Sequence, residues 1–367
     1  MNTTYRPLLF RRRNGQDAEA MDHLLLEKPL IESVDTIHAQ LGELIKIRNP
    51  TEKITDDKRH QLIMAHVQPD TSLEDYGVWA YYPWLNKIIH LLDEEEFIEV
   101  RTNRNVYKIS FEEVQALRKM KIGVIGLSVG QSVAVTMAME RICGELRLAD
   151  FDTLELSNMN RIRAGVHQLG ENKTVITARQ IAEMDPYIEV HCYSEGINFQ
   201  NIDDFLTGNG ALDMLVEECD GIDVKILSRL KAREFGIPVI MDTNDKGMLD
   251  IERFDLERNR PIFHGRLSAI EGQSFAQLEK TLKDLTIQQK IQYLVEIIGM
   301  ENVSEAMKLS LQEMNRTITG WPQLASAVML GGAMVTDVTR RSLLGKFSIS
   351  GRYFVDFEDL IQEEKAN

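Results

Sequence analysis

Cysteine is scarce in this chain: Cys143, Cys192 and Cys219 lie far apart and form no Cys-x-x-Cys pair. That spacing excludes a cysteine zinc site and fits a reducing compartment. Positive charge is short as well. With 42 Lys and Arg against 57 Asp and Glu, the net charge is −15, which argues against a nucleic-acid partner held by phosphate contacts. Long apolar runs are missing too. Gln323–Val335 is the most apolar long stretch, but Asp337, Arg340 and Arg341 follow too soon for a membrane span. The N-terminal MNTTYRPLLFRRRNGQ is basic without an apolar core, so it does not read as a signal peptide. The expectation is a soluble cytoplasmic protein with no membrane and no nucleic-acid partner. The eight histidines are scattered with no metal-ligand spacing. Finally, the dinucleotide fingerprint Gly-x-Gly-x-x-Gly does not occur.

What is present is concentrated in Lys121–Asp152, KIGVIGLSVGQSVAVTMAMERICGELRLADFD. Lys121–Ile125 suits a buried parallel strand, and Gly126 and Gly130 punctuate the turn that follows. Val133–Ile142 has apolar residues at helical spacing, and Glu145–Leu148 runs into Asp150 and Asp152. A glycine turn at a helix N-terminus lets backbone N–H groups face an anionic phosphate. An acid at the end of the second strand sits where a ribose hydroxyl would be held. This is the pattern of a nucleotide site. The turn alone leaves NAD, FAD and a purely structural βαβ connection open.

At 367 residues with 43% hydrophobic content, the chain can bury a sizeable core. Residues 1–100 form a mixed, charged N-terminal extension, with helices expected over Ala18–Lys28 and Ser33–Ile45, broken at Pro29. Its Tyr76–Leu92 stretch is aromatic and expected to be partly buried. Residues 101–265 alternate strand and helix, with strands near Lys121, Glu145, Ile188–Tyr193, Leu212–Val216 and Pro238–Asp242. That rhythm predicts an α/β fold, a Rossmann-like doubly wound sheet forming a nucleotide-binding domain. Residues 266–367 are expected to be a helical region, an insertion with amphipathic runs at Gln288–Ile298 and Val303–Met314. A long apolar helix then begins at Pro322, and Ile349–Phe357 offers a last strand.

After Asp150 and Asp152 come LELSNMNRIRAG, GENK and EECDGIDVK. On these segments the sequence resembles the ThiF/MoeB/HesA family of adenylating enzymes, relatives of the ubiquitin-activating enzymes. The resemblance covers residues 101–265 and, more loosely, the helix WPQLASAVMLGGAMVTDVTRR. It implies ATP and Mg²⁺ as cofactors, and adenylation of a carboxylate, usually the C-terminal glycine of a small ubiquitin-like protein. It also implies roles for particular residues. Asp150 falls on the ribose-binding acid and Asp152 completes its Asp-Phe-Asp. Asn158 and Arg161 fall on the Ser-Asn-x-x-Arg segment that contacts phosphates, and Lys173 on the phosphate-binding lysine. Asp220 falls on the magnesium-binding aspartate, with Gly126, Ser128 and Gly130 in the phosphate turn. Arg104 falls near the arginine that reaches into a neighbouring subunit's ATP site, which implies a homodimer.

Those residue types suit the chemistry. Attack of a carboxylate on the α-phosphorus is catalysed by positioning and by neutralising the departing phosphates. Arg161 offers a bidentate fork, Lys173 a point charge and Asp220 a hard oxygen ligand for Mg²⁺. A carboxylate nucleophile is already ionised at neutral pH, so no general base is required. The chain departs from the family in five places. Ser128-Val129 replaces a glycine pair in the turn, where the Ser128 hydroxyl offers a phosphate contact and Val129 narrows close approach. Gly221 follows Asp220 where asparagine is usual, and Lys225 stands where arginine is common. No zinc-binding Cys-x-x-Cys pair exists. No cysteine follows Cys219 either, so activation is expected to stop at the adenylate. Such an enzyme would activate a ubiquitin-like tail, a peptide or a small acid. The alternatives are an NAD(P)- or FAD-dependent oxidoreductase, or a degenerate nucleotide-binding module that recruits partners. Asp220 follows Glu217 and Glu218, which on its own reads as a solvated acidic loop.

Overall fold

The computed structural model describes residues 4–67 and 71–362. The chain divides into two compact units, residues 1–114 with 182–187, and residues 115–181 with 188–367.

The first unit contains β1 (Leu8–Phe10), α1 (Gly15–Glu27), β2 (Glu32–Asp35), α2 (Ile37–Arg48) and α3 (Asp56–Val67). These are followed by β3 (Val78–Tyr82), β4 (Lys87–Leu91) and α4 (Glu94–Thr102). Its sheet runs β1-β3-β4-β2, antiparallel except for the parallel β2–β4 pair. The aromatic stretch is a hairpin whose first strand is wholly buried, turned by Asn86 at φ 53°. One expectation fails here. Ser33–Asp35 is strand, not helix, pairing with Ile88–His90, and the helix begins only at Ile37. The reason is local: the Asp35 carboxylate accepts the Ile37 N–H at 3.1 Å, ending the strand and opening the helix. Further on, the Asp93 side chain caps α4, which carries three glutamates in its first turn.

After α5 (Phe111–Leu117), the second unit builds β5 (Lys121–Ile125), α6 (Gly130–Glu140), β6 (Glu145–Ala149), α7 (Lys173–Met184) and β7 (Glu189–Tyr193). Then come α8 (Ile202–Thr207), β8 (Met214–Glu217), α9 (Ile222–Phe235), β9 (Val239–Thr243) and β10 (Met248–Glu252). The order of its sheet is β11-β10-β9-β8-β5-β6-β7, where β11 is Gly351–Phe354. β9, β8, β5, β6 and β7 are parallel, and β10 and β11 add two antiparallel strands at one edge. This is the doubly wound, Rossmann-like sheet that the strand–helix rhythm predicts. Strand alternation serves both faces: Ile125, Leu215 and Val239 enter a core with α8 and α9, while Val124 faces α6.

The region after residue 265 is helical: α10 (Phe275–Lys283), α11 (Ile287–Ile298), α12 (Glu305–Glu313) and α13 (Ala325–Leu343), with α14 (Phe357–Leu360) after β11. Ser274 with Gln277, and Thr286 with Gln289, form capping boxes that start α10 and α11. Among the described residues no helix is long and apolar enough to cross a membrane. Instead α13 packs on α6 and on β8, β9 and β10. Gly332 makes the approach to α6 possible, since a Cβ there would lie 2.5 Å from Ser132 Oγ and 3.1 Å from its backbone carbonyl. Gly332→Val should therefore lower the melting temperature. Overpacking of this kind costs about 1–3 kcal/mol, and each kcal/mol is worth about 2–4 °C at this size. An unchanged melting temperature would mean that α13 does not rest on α6 as described.

Candidate active site

The strand order reverses at β5, which lies between β8 and β6. In open parallel sheets, ligands bind outside the carboxyl ends of the strands at such a point. The Gly126–Gly130 turn stands there. Gly126 adopts φ +86°, and a Cβ on it would come within 2.7 Å of the Glu218–Cys219 peptide. Only glycine lets the turn lie against the end of β8. Gly130 opens α6 with its Cα toward Val124, where a Cβ would meet the valine methyl at 2.7 Å. Val129 is buried and lines an apolar cavity beside the turn.

Asp150 braces this turn. Its Oδ2 accepts the Leu127 N–H at 2.6 Å and its Oδ1 the Asp152 N–H at 2.8 Å. Burial raises its carboxyl pKa, while Lys173 and those two N–H bonds pull it back down. Lys173, at the start of α7 and 4% exposed, projects its ammonium to the same place. Nζ lies 3.1 Å from Ser128 Oγ, 2.8 Å from Asp152 Oδ2 and 4.0 Å from Asp150 Oδ1. A fixed cation, a hydroxyl and two carboxylates thus meet at one glycine turn.

Asn158 and Arg161 lie on and just after a one-turn 3₁₀ segment, Leu156–Asn160. The Asn158 side-chain oxygen accepts the Glu155 N–H at 3.1 Å, so it shapes its own loop. Asn160 donates to the Gln323 carbonyl at 2.7 Å and ties that loop to the segment before α13. The half-buried Arg161 donates from Nη1 to Asn160 at 3.0 Å, and its Nε has no partner among the described residues. Burial lowers its pKa and the field of Asp220 raises it. Asp220 follows β8 and is exposed, yet the surrounding protein raises its pKa, first by desolvation and also by Glu217. Lys225, Arg161 and Lys173 oppose that rise. Arg161, Lys173, Asp150 and Asp220 therefore occupy one edge of the second unit. Arg104 is exposed on the short Asn103–Asn105 turn of the first unit.

The reading of a solvated acidic loop before Asp220 is wrong for its first two acids. Glu217 is fully buried and Glu218 is 8% exposed. Glu217 takes Lys225 Nζ on both oxygens at 2.9 Å and also pairs with Arg229, which bridges to Glu252 at 2.8 Å. Lys225 is thus engaged by a strand-end glutamate. Glu218 belongs to a second group: its Oε1 accepts the Asp242 N–H at 3.1 Å. Burial and then the Asp242 carboxyl raise the Glu218 pKa, while burial lifts Asp242 to about 7 against a side-chain hydrogen bond with Glu218 and the field of Lys225. Burial and the Glu217 carboxylate push the Cys219 thiol up, so it is a weak nucleophile. Strand periodicity signalled Glu217 and Glu218, because consecutive residues at the end of a buried parallel strand face opposite sides and neither reaches solvent.

Among the described residues, three potential metal-ligating groups converge at Glu145, Glu189 and His191. Glu145 there already holds Arg147 at 2.8 Å and Lys121 at 3.2 Å.

The Glu217 pairing has a pH signature. Against its burial, Lys225 and Arg229 bring the carboxyl down to about 2 from the ordinary 4.5. Its contribution is thus present above about pH 4.5 and is lost as pH falls toward 2. Glu217→Gln should destabilise the protein at pH 7 by about 3–5 kcal/mol, the range for breaking a buried pair from one side. The difference from wild type should shrink on acidification. Equal melting temperatures at pH 7 would show that Lys225 and Arg229 do not depend on Glu217.

A glycine turn on a doubly wound sheet, with an acid after the second strand and a lysine over the turn, defines a Rossmann-like nucleotide-site architecture. The model of the ThiF family matches residues 101–327, and the chain belongs to that family. The Mycobacterium tuberculosis protein MT1398 is 43% identical over 349 residues, covering 95% of this chain and 45% of the relative. A tRNA threonylcarbamoyladenosine dehydratase 2 of Saccharomyces cerevisiae is 28% identical over 148 residues, 40% of this chain and 33% of that protein. The chain spans less than half the length of these curated relatives. The crystal structure of PaaA shares the fold at a TM-score of 0.51 and 20% identity, covering 73% of this chain and 82% of that one.

Proposed function

We propose that this chain is an ATP-dependent adenylating enzyme that activates a carboxylate as an acyl-adenylate. The carboxylate oxygen forms a bond to the α-phosphorus, the bond from that phosphorus to the bridging oxygen breaks, and pyrophosphate leaves with the electron pair. Asp150 holds the turn and faces the ribose, and Lys173 and Ser128 meet phosphate oxygens across the Gly126–Gly130 turn. Arg161 closes on the leaving phosphates with a guanidinium whose Nε is unspent. Mg²⁺, when bound, would neutralise the departing pyrophosphate. Asp220 fits it as an exposed carboxylate just past the end of β8. The observation that carries this reading is the Lys173 ammonium, seated between Ser128 and Asp152 at the glycine turn.

The acceptor is a ubiquitin-like tail, a peptide or a small acid. The net charge of −15 favours these over a tRNA-bound carboxylate. Asp220→Asn should reduce carboxylate-dependent ATP–pyrophosphate exchange by about 10²–10³, the range for losing one group that stabilises the transition state. Wild-type exchange in that variant removes Asp220 from the mechanism.

The enzyme acts as a two-fold homodimer in which Arg104 serves the ATP site of the other copy. Inactive Arg104→Ala and Asp220→Asn chains, once mixed, should regain activity through hybrid dimers carrying one intact site. A monomer by light scattering at micromolar concentration ends the idea.

A further inference from the structure

The histidines are scattered along the sequence, but the fold of the first unit brings two of them into contact. His38 stands in the first turn of α2 and His60 in the second turn of α3. His38 Nε2 lies 3.3 Å from His60 Nδ1, with ring centroids 5.6 Å apart and the planes 32° from parallel. Both side chains are exposed, yet the helices that carry them are fixed. Leu41 and Leu44 of α2 and Ile63 of α3 are wholly buried in one cluster. Gly42 marks a close approach of the same helices, since a Cβ there would stand 3.3 Å from Arg59 Cδ. The separation of the two nitrogens has a chemical meaning. Nitrogens bound at about 2.0–2.1 Å to tetrahedral Zn²⁺ stand about 3.3–3.4 Å apart, the edge of that tetrahedron.

We propose that His38 and His60 form a zinc site that clips α2 to α3, with the Asp57 carboxylate and water completing the tetrahedron. Asp57 is exposed in the first turn of α3, three residues before His60 and so on the same helix face. Arg59, between them in sequence, is held by Asp56 at 2.6 Å. Zinc takes Nε2 of His38 and Nδ1 of His60, which leaves the ring protons on His38 Nδ1 and His60 Nε2. The ion replaces the contact between the two nitrogens, so only exposed rings need to turn. Paired imidazoles suit Zn²⁺ and not Mg²⁺, which takes oxygen ligands. The group at Glu145, Glu189 and His191 fits a cation less well, because Arg147 and Lys121 already neutralise Glu145.

This site lies in the first unit and its test needs no nucleotide, so it stands apart from the adenylation reading. The whole chain, stripped with a chelator, is titrated calorimetrically with Zn²⁺ in the presence of excess Mg²⁺, which fills oxygen-rich sites. One equivalent of zinc should bind in the low micromolar range. His38→Gln and His60→Gln should each weaken it by at least about tenfold, more than the loss of a group that only orients a ligand. The double variant should lose little more than either single one, because both rings serve one ion. His191→Gln should bind as wild type does, and circular dichroism checks that each variant folds. Three results overturn the proposal: no saturable zinc binding, zinc binding retained in both His38→Gln and His60→Gln, or zinc binding lost in His191→Gln. ATP affinity, measured separately, bears on the adenylation reading alone.

Discussion

The second unit depends on one close approach, that of Gly126 to the Glu218–Cys219 peptide at the end of β8. With φ +86° and no room for a Cβ, Gly126 lets the first turn of the sheet lie directly on the neighbouring strand end. The arrangement of the candidate site follows from that contact. The Leu127 N–H comes within reach of Asp150, α6 starts at Gly130, and Lys173 finds Ser128. The same contact fixes the direction in which β8 delivers its acids, because the peptide packed against Gly126 is the one that joins Glu218 to Cys219.

The acids there have different environments, and this difference separates their roles. Glu217 points into the α9 side of the sheet and is held ionised by Lys225 and Arg229. Glu218 points the other way, toward Asp242, where desolvation and a second carboxyl favour the protonated form. Asp220, one residue beyond Cys219, has left the strand and reaches solvent. Consecutive residues of one strand end thus supply a structural ion pair, a cavity floor and an exposed metal-suited carboxylate. A low local dielectric makes these assignments strict, since an unpaired buried charge costs far more than a solvated one.

Much of this was legible in the sequence. The strand–turn–helix–strand at Lys121–Asp152 and the alternating elements after it specified the sheet, because buried parallel strands and amphipathic helices carry distinct periods. Ser33–Asp35 was misread because a short strand ending in a polar cap looks like the beginning of the helix behind it. The candidate residues Asp150, Arg161, Lys173 and Asp220 were picked out by their resemblance to a family pattern, and the fold brings them to one edge. Glu218 and Asp242 were not found, since they are distant in sequence and meet only because β8 and β9 are adjacent in the sheet. Their pairing is a property of strand order, which no local pattern encodes.

The glycine pair of α13 shows how far such non-local constraints extend. Helix propensity alone disfavours two consecutive glycines by about 1 kcal/mol each against alanine. Gly332 is needed because Ser132 of α6 is there, and Gly331 because the Asp242 carboxyl is there. The first constraint is ordinary helix packing. The second is different, for it keeps open the space of a buried carboxyl that pairs with Glu218 across the ends of β8 and β9. A glycine in one helix is thus set by a carboxyl pair that strand order assembles elsewhere, a constraint that helix propensity alone would not select.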